Sequence, residues 1–166
     1  MNGARKPRKP RWLPTADTMI LAKHQAAKPA VADRNEVLSI LRAAHKALSE
    51  GVATELQWSV LAGGLDTAKA IERQGIVRGL SEHLNTADRA LQAIYDRAMH
   101  STGRWFPTAL YFHELEAVSA FVDVHAFQVN QLGRAEMIAA LDAAATKIRA
   151  GGDKALVVRE VERMAA

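Results

Sequence analysis

The chain contains no cysteine, and this single absence removes several classes of site. Disulfides, zinc–thiolate centres, iron–sulfur clusters and thiol nucleophiles all require cysteine. No apolar run approaches the ~20 residues that a membrane-spanning helix needs. We therefore expect a cytoplasmic protein with no membrane contact.

Aromatic residues are also scarce, at 5% of the 166 residues, although hydrophobic residues make up 49%. Alanine supplies much of the apolar content, and alanine both favours helix and lets helices approach closely. No segment alternates apolar and polar residues with the period of two that is typical of a strand. The composition therefore predicts an all-α protein.

The motifs of common enzyme classes are missing too. The chain has no Gly-x-Ser-x-Gly element, no P-loop and no dinucleotide fingerprint. Serine, an acid and histidine stand together only at residues 81–83. Successive side chains on a helix point about 100° apart, so these three would not form a relay. We expect no enzymatic activity and no cofactor.

Positive charge is concentrated at the start of the chain. Prolines oppose helix and like charges repel, so residues 1–14 are predicted to be a disordered arm before one helical domain, residues 15–166. The arm could neutralise the phosphates of DNA or RNA, or be a solvated tail. Removing its five cations from the 22 of the chain leaves 17 against 18 acids, so the remainder is nearly neutral. The five are Arg5, Lys6, Arg8, Lys9 and Arg11.

Apolar residues recur at spacings of three and four along most of the domain, the pattern of helices with one apolar face. Their spacing predicts a bundle of about five main antiparallel helices that cross at roughly 20°. The same stripes could serve a homo-oligomer. The predicted helices cover about residues 15–27, 33–50, 54–74, 80–100, 108–132 and 137–150, with a short final helix after residue 153.

Particular residues are expected to begin and end these helices. Asp33 and Thr54 are predicted N-caps, and Gly51 and Gly75 are predicted stops. Thr108 is predicted to begin the most apolar helix, around which we expect the others to pack. Inside the 54–74 helix, glycines 63 and 64 predict close approach of another helix, with a hinge as the alternative.

A six-residue pattern occurs twice. Residues 11–16 read Arg-Trp-Leu-Pro-Thr-Ala and residues 104–109 read Arg-Trp-Phe-Pro-Thr-Ala. We interpret both as a shared way to begin a helix, capped by the threonine. The alternative is a partner-binding patch formed by Arg11, Trp12, Arg104 and Trp105, because arginine and tryptophan are enriched in binding hot spots.

Histidines and acids on the 108–132 helix suggest a metal site, but helical geometry argues against one. Glu116 and His125 would face opposite sides of the helix, and His113 lies about 120° from His125. We expect no metal. His125 occupies an apolar seam, which predicts a hydrogen-bonded core residue paired with Gln57, Tyr95 or Asn130. A pH-sensitive switch is the alternative.

The segment at residues 101–108, Ser-Thr-Gly-Arg-Trp-Phe-Pro-Thr, leads into Leu115, His125 and Gln128. This pattern resembles short helical proteins of unassigned function that proteobacterial plasmids and phages carry, over residues 54–136. The resemblance implies a mobile-element setting and no chemistry.

Two classes of function are therefore expected. The first is a non-enzymatic protein that docks on a protein or nucleoprotein partner, as small mobile-element proteins that regulate or that inhibit host defence do. The alternative is direct, non-specific binding of DNA or RNA through the basic arm, alone or as a small subunit of a nucleic-acid complex.

Overall fold

The computed structural model describes Ile20, Lys23 and residues 27–29, 31–99 and 103–150. Within these residues the chain forms five helices and no strand, which confirms the predicted all-α fold. None of these helices is both long and apolar enough to cross a membrane. The basic arm, most of the predicted 15–27 helix and the predicted final helix lie outside the described residues. The helices are α1 (Val31–Ser49), α2 (Glu55–Gln74), α3 (Ser81–Ala98), α4 (Phe112–Gln131) and α5 (Arg134–Ala150).

The ends of α1 and α2 confirm the local predictions. Thr54 and Gln57 form a reciprocal capping box at the start of α2. The Gln57 N–H donates to Thr54 Oγ1 at 3.2 Å, and the Thr54 N–H donates to Gln57 Oε1 at 2.9 Å. Gly51 and Gly75 adopt φ values of 71° and 77°, which glycine allows without strain. Both therefore end a helix, as the sequence predicted.

Two predicted helix starts are wrong. Helix α1 begins at Val31, so Asp33 lies in its first turn instead of capping it. Helix α4 begins at Phe112 and not at Thr108, and residues 105–111 form no helix. The Glu114 carboxylate accepts the Tyr111 N–H at 2.9 Å and satisfies the start of the helix there. The same carboxylate also accepts two hydrogen bonds from Arg97 of α3.

Helix α2 is the centre of the fold, since it packs against each of the other four helices. Helices α1 to α4 form a bundle in which α3 packs on α4 and α1 packs on α4. The prediction that the 108–132 helix would be the centre is wrong. Its extra aromatic side chains, Phe112 and Phe127, face outwards instead of adding a second buried face.

A large apolar core lies between α2 and the three other bundle helices. Its biggest fully buried members include Phe121, Leu61 and Leu91. At Gly64, a Cβ atom would lie 2.8 Å from Leu41 Cδ1 of α1 and 3.5 Å from Phe121 Cζ of α4. Glycine at 64 therefore allows α1 to approach α2 closely, and any larger residue would force the Leu41 side chain to move. A Cβ at Gly63 would meet nothing within 4 Å, so only one of the two glycines fulfils the prediction.

Helix α5 packs on α2 outside this bundle. Its buried residues, Ala140 and Ala144, are small. The Gln74 side-chain amide donates to the Glu136 carbonyl at 3.1 Å, and Lys147 Nζ pairs with Asp66 Oδ1 at 2.5 Å. Later residues of α5 thus meet earlier residues of α2, so the two helices run antiparallel.

Candidate functional site

Three exposed aromatic side chains occur within seven residues at one end of the bundle. Phe106, Tyr111 and Phe112 are 57%, 58% and 81% exposed. The chain has only nine aromatic residues, three Trp, two Tyr and four Phe. One third of the aromatic residues of the chain therefore lie exposed within this short segment. We call them the aromatic end surface (Phe106, Tyr111 and Phe112).

The segment that carries this surface is anchored by Trp105. Its indole Nε1 donates to the Ala53 carbonyl at 2.7 Å, at the turn between α1 and α2. Its ring lies 6.1 Å from Trp58 and 6.2 Å from Tyr95, and Trp58 lies 4.6 Å from Tyr95, all in tilted pairs. The Phe106 N–H donates to the Ala98 carbonyl at 3.0 Å, at the end of α3. These contacts hold the segment against the bundle.

A buried ion pair fixes the other end of the segment. Arg97 Nη1 and Nη2 donate to the two carboxylate oxygens of Glu114, each at 2.6 Å. Glu114 is only 1% exposed, and the Arg97 guanidinium lies 4.5 Å above the Tyr111 ring. Tyr111 in turn stacks on His113, with centroids 5.9 Å apart and planes 8° apart. The last turn of α3 and the first turn of α4 therefore hold Tyr111 in a defined orientation.

The charges of this pair stabilise each other. Burial alone would raise the pKa of Glu114, but hydrogen bonds from Arg97 and from the Tyr111 N–H outweigh it and hold that pKa below its usual range. The hydrogen bond with Glu114 raises the pKa of Arg97. The lowered pKa favours the ionised carboxylate, and Arg97 and the Tyr111 N–H both donate hydrogen bonds to it.

The predicted contact residues separate in the structure. Arg104 is exposed beside the aromatic end surface, whereas Trp105 is half-buried and packs internally. The helix-start interpretation of residues 104–109 is therefore wrong. Trp105 contacts α2 and α3 through its ring instead of packing back on the first turn of α4. The predicted contacts Arg5, Lys6, Arg8, Lys9, Arg11 and Trp12 lie outside the described residues.

His125 is a buried core residue, as predicted, but with a different partner. Its Nδ1 lies 3.3 Å from Gln128 Oε1, one turn along α4, so its hydrogen-bond partner is Gln128 instead of Gln57, Tyr95 or Asn130. The Gln128 amide donates to the Ala68 carbonyl of α2 at 3.1 Å. Burial lowers the pKa of His125, and the bond to Gln128 only partly opposes this. The described residues contain no group of three or more potential metal ligands.

A serine–histidine pair that the sequence did not reveal joins α1 to α4. His45 Nε2 lies 3.0 Å from Ser119 Oγ, and the charge of Asp123 raises the pKa of His45 against a larger lowering by burial. Ser119 sits in the middle of a helix, where backbone N–H groups are used by the helix itself. The pair therefore contributes a polar contact between α1 and α4.

The sequence gives only one weak indication of the other residues of the site. The spacing of Tyr111 and Glu114 is that of an N-cap and its third helical residue. Nothing along the chain pairs Arg97 with Glu114, or Trp105 with Ala53. Comparison of the chain with protein-family models, with curated proteins and with solved structures finds no match.

Proposed function

We propose that the protein is a non-enzymatic binding protein that docks on a protein or nucleoprotein partner through the aromatic end surface. One observation supports this most directly. Three aromatic side chains more than half exposed lie between Phe106 and Phe112, in a chain otherwise poor in aromatics. Exposed aromatic side chains bury much apolar area on binding and dominate interface hot spots.

The way this surface is held also favours binding. Trp105 and the Arg97–Glu114 pair attach the segment to α2, α3 and α4, and of the three exposed rings only Tyr111 contacts this pair, through Arg97. A surface that is already ordered loses little conformational freedom when a partner binds. Arg104, exposed within the same segment, adds the residue type that most often accompanies aromatics in hot spots.

The setting we propose follows from the resemblance to mobile-element proteins and from the cysteine-free composition. The protein acts in the cytoplasm of a bacterial host, encoded by a plasmid or phage, without a cofactor or a membrane contact. Regulation of a host protein, including inhibition of a host-defence complex, is the role that this setting favours.

Direct binding of nucleic acid is the second candidate, supported by a different observation. The stacked Tyr111 and His113 rings lie beside exposed Phe112, and aromatic faces of this kind stack on unpaired bases. The basic arm would supply contacts to phosphates. In this case the aromatic end surface would bind single strands better than duplexes.

Two variants on α4 test the docking proposal. Phe112→Ala removes the most exposed ring of the surface, while Phe127→Ala removes an exposed ring near the other end of the same helix. Immobilised full-length protein and both variants are incubated with proteobacterial lysate, and captured proteins are quantified by mass spectrometry. We expect Phe112→Ala to reduce capture of specific partners at least about tenfold, the size of a hot-spot loss. Equal capture by all three proteins contradicts the proposal.

The nucleic-acid candidate is tested with the same proteins and labelled single-stranded DNA, duplex DNA and RNA. A full-length variant with all five arm cations changed to glutamine is added, at low and moderate salt. Loss of affinity in that variant, with a flatter salt dependence, supports the arm as the phosphate contact. Unchanged binding rejects it.

A further inference from the structure

The end of the bundle that carries the aromatic end surface is also acidic. At this end α1 turns into α2, and the segment with the exposed rings leads from α3 to α4. Residues 46–55, 95–99 and 103–116 form it. They contain five Asp or Glu residues against three Lys or Arg residues, a net charge of −2. The whole chain carries +4, so this end has the opposite sign.

Ion pairs within the chain use two of the three cations of this end. Arg97 binds Glu114 at 2.6 Å, and Lys46 Nζ lies 3.9 Å from Glu50 Oε1. The other three acids of this end are exposed to solvent, and they are Glu55, Asp96 and Glu116. This end therefore attracts a positively charged partner and repels phosphate groups.

The contacts of Arg97 show how a guanidinium group binds at this end. Arg97 Cζ lies 4.5 Å from the centre of the Tyr111 ring, and its two Nη atoms donate to the Glu114 carboxylate, each at 2.6 Å. Glu114 follows Tyr111 by three residues, about one helical turn. An aromatic ring followed by a carboxylate one turn later thus holds a guanidinium through two kinds of contact.

Phe112 and Glu116 repeat this arrangement on the exposed side of α4. They are four residues apart, which places them about 40° apart round the helix and about 6 Å apart along it. Phe112 is 81% exposed, and Glu116 is exposed too. Helix α4 contains no lysine or arginine, so no such cation of the same helix neutralises Glu116. The ring and the carboxylate are both accessible from solvent.

We propose that Phe112 and Glu116 bind an arginine side chain of a protein partner whose docking segment is basic. This inference rests on the proposed function, because it names the chemistry of the partner that docks on the aromatic end surface. Arginine suits the pair better than lysine, since its planar guanidinium stacks on a ring and also pairs with a carboxylate. Arginine is also one of the residue types that dominate binding hot spots.

The charge of this end makes two other occupants poorer. In a symmetric dimer formed through the aromatic end surface, two ends that each carry a net charge of −2 would face and repel each other. A nucleic acid would bring its phosphates close to Glu116, one turn from the most exposed ring. A basic protein segment meets neither repulsion.

Labelled peptides test the proposal on the full-length protein. One peptide repeats Arg-Gly-Leu, and two matched peptides carry lysine or glutamate in place of arginine. Fluorescence anisotropy measures their affinities at low and moderate salt. The variant Glu116→Gln keeps the size of the side chain and removes its charge, and Asp142→Asn makes the same kind of change at an exposed position of α5. Circular dichroism checks that both variants are helical.

We expect the unmodified protein to bind the arginine peptide most tightly and the glutamate peptide least. Glu116→Gln should weaken binding of the arginine peptide about fivefold and flatten its salt dependence, because an exposed ion pair is lost. Asp142→Asn should leave both unchanged.

Equal affinity of the unmodified protein and Glu116→Gln for the arginine peptide overturns the proposal, and so does an arginine peptide that binds no better than the glutamate peptide. Single-stranded DNA that binds more tightly than every peptide, and tighter still to Glu116→Gln, also overturns it and assigns the surface to nucleic acid. The lysate capture separates this inference from the proposed function. Capture that is lost in Phe112→Ala but unchanged in Glu116→Gln refutes the arginine contact and leaves the docking proposal intact.

Discussion

The two sides of α2 are built from different kinds of residue. The side that faces α3 and α4 carries large apolar side chains such as Leu61 and Leu65, packed against Phe121. The side that meets α5 carries a smaller apolar cluster, in which Ala70 and Ile71 pack with Ala140 of α5, and it also carries the polar Asp66. One helix thus supports a dense apolar core on one flank and a close, partly polar contact on the other.

This difference indicates that the fold has a strong part and a weak part. Large side chains bury the most apolar area and lose the most when their packing is disturbed. Helix α5 instead depends on alanines and on polar contacts such as Lys147 with Asp66, in which the lysine is half-exposed. We therefore expect α5 to open before the four-helix bundle does.

The largest loss of stability is expected from a substitution in the core between α2 and helices α3 and α4. Phe121→Ala removes a fully buried ring from the core and is expected to lower the free energy of unfolding by about 3–5 kcal/mol. Lys147→Ala, on the weak side, is expected to cost about 1–2 kcal/mol, because the lysine is half-exposed but its removal leaves the buried Asp66 carboxylate without this partner. Urea unfolding followed by circular dichroism measures both. Similar losses in the two variants would contradict the division into strong and weak sides.

Lowering the pH should reduce the free energy of unfolding by an intermediate amount. Burial lowers the pKa of both His125 and His45 in the folded protein below the ordinary value of 6.5. The unfolded chain then binds protons first, so the full stability present above pH 6.5 is lost as the pH falls towards the folded values. The slope is at most about 1.4 kcal/mol per pH unit for each histidine.

Urea midpoints at pH 7.5 and 5.5 measure this loss. His125→Gln should flatten the dependence, whereas His83→Gln, on the exposed surface of α3, should leave it unchanged. Glu114 does not interfere, since its lowered pKa keeps it ionised throughout this range. A stability that does not change between the two pH values would contradict the buried, neutral state of both histidines.

The smallest change in stability is expected from replacing glycines 63 and 64 by alanine, and the two replacements should differ. Gly63→Ala is expected to raise the free energy of unfolding by about 0.5–1 kcal/mol, because alanine favours helix and meets no atom there. Gly64→Ala gains the same preference but forces Leu41 to move, so we expect no gain or a net loss. Thermal unfolding of the two variants compares them directly. An equal rise in both would show that α1 does not approach α2 as closely as described.

Local chemistry explains why some elements were predictable. Thr54 with Gln57, Gly51 and Gly75 act through backbone groups within a few residues, so their caps and stops follow from the residues themselves. The start of α4 is different, because Glu114, which accepts the N–H of the N-cap Tyr111, is also bound by Arg97 from another helix. Predicting a start at Thr108 used the nearest capping residue and missed the distant one.

The residues of the candidate site were likewise only partly predictable from the sequence. Arg104 and Trp105 stood out in the sequence as a pair, but the fold uses Trp105 to anchor the segment and leaves Phe106, Tyr111 and Phe112 exposed. The apolar character of α4 likewise predicted a central helix. Periodicity identifies an apolar helix face but does not show whether another helix covers it. In the structure α2, and not α4, is the helix that packs against all the others.

The amino-acid sequence by itself determined the all-α class, the approximate positions of the helices along the chain, and the helix ends at Thr54, Gly51 and Gly75. These features depend on contacts between residues that are near neighbours in the chain. Only the tertiary structure decided which helix lies at the centre, which charged groups are buried together and which aromatic rings meet solvent. Those outcomes depend on residues far apart in the chain that reach one another only after the helices pack.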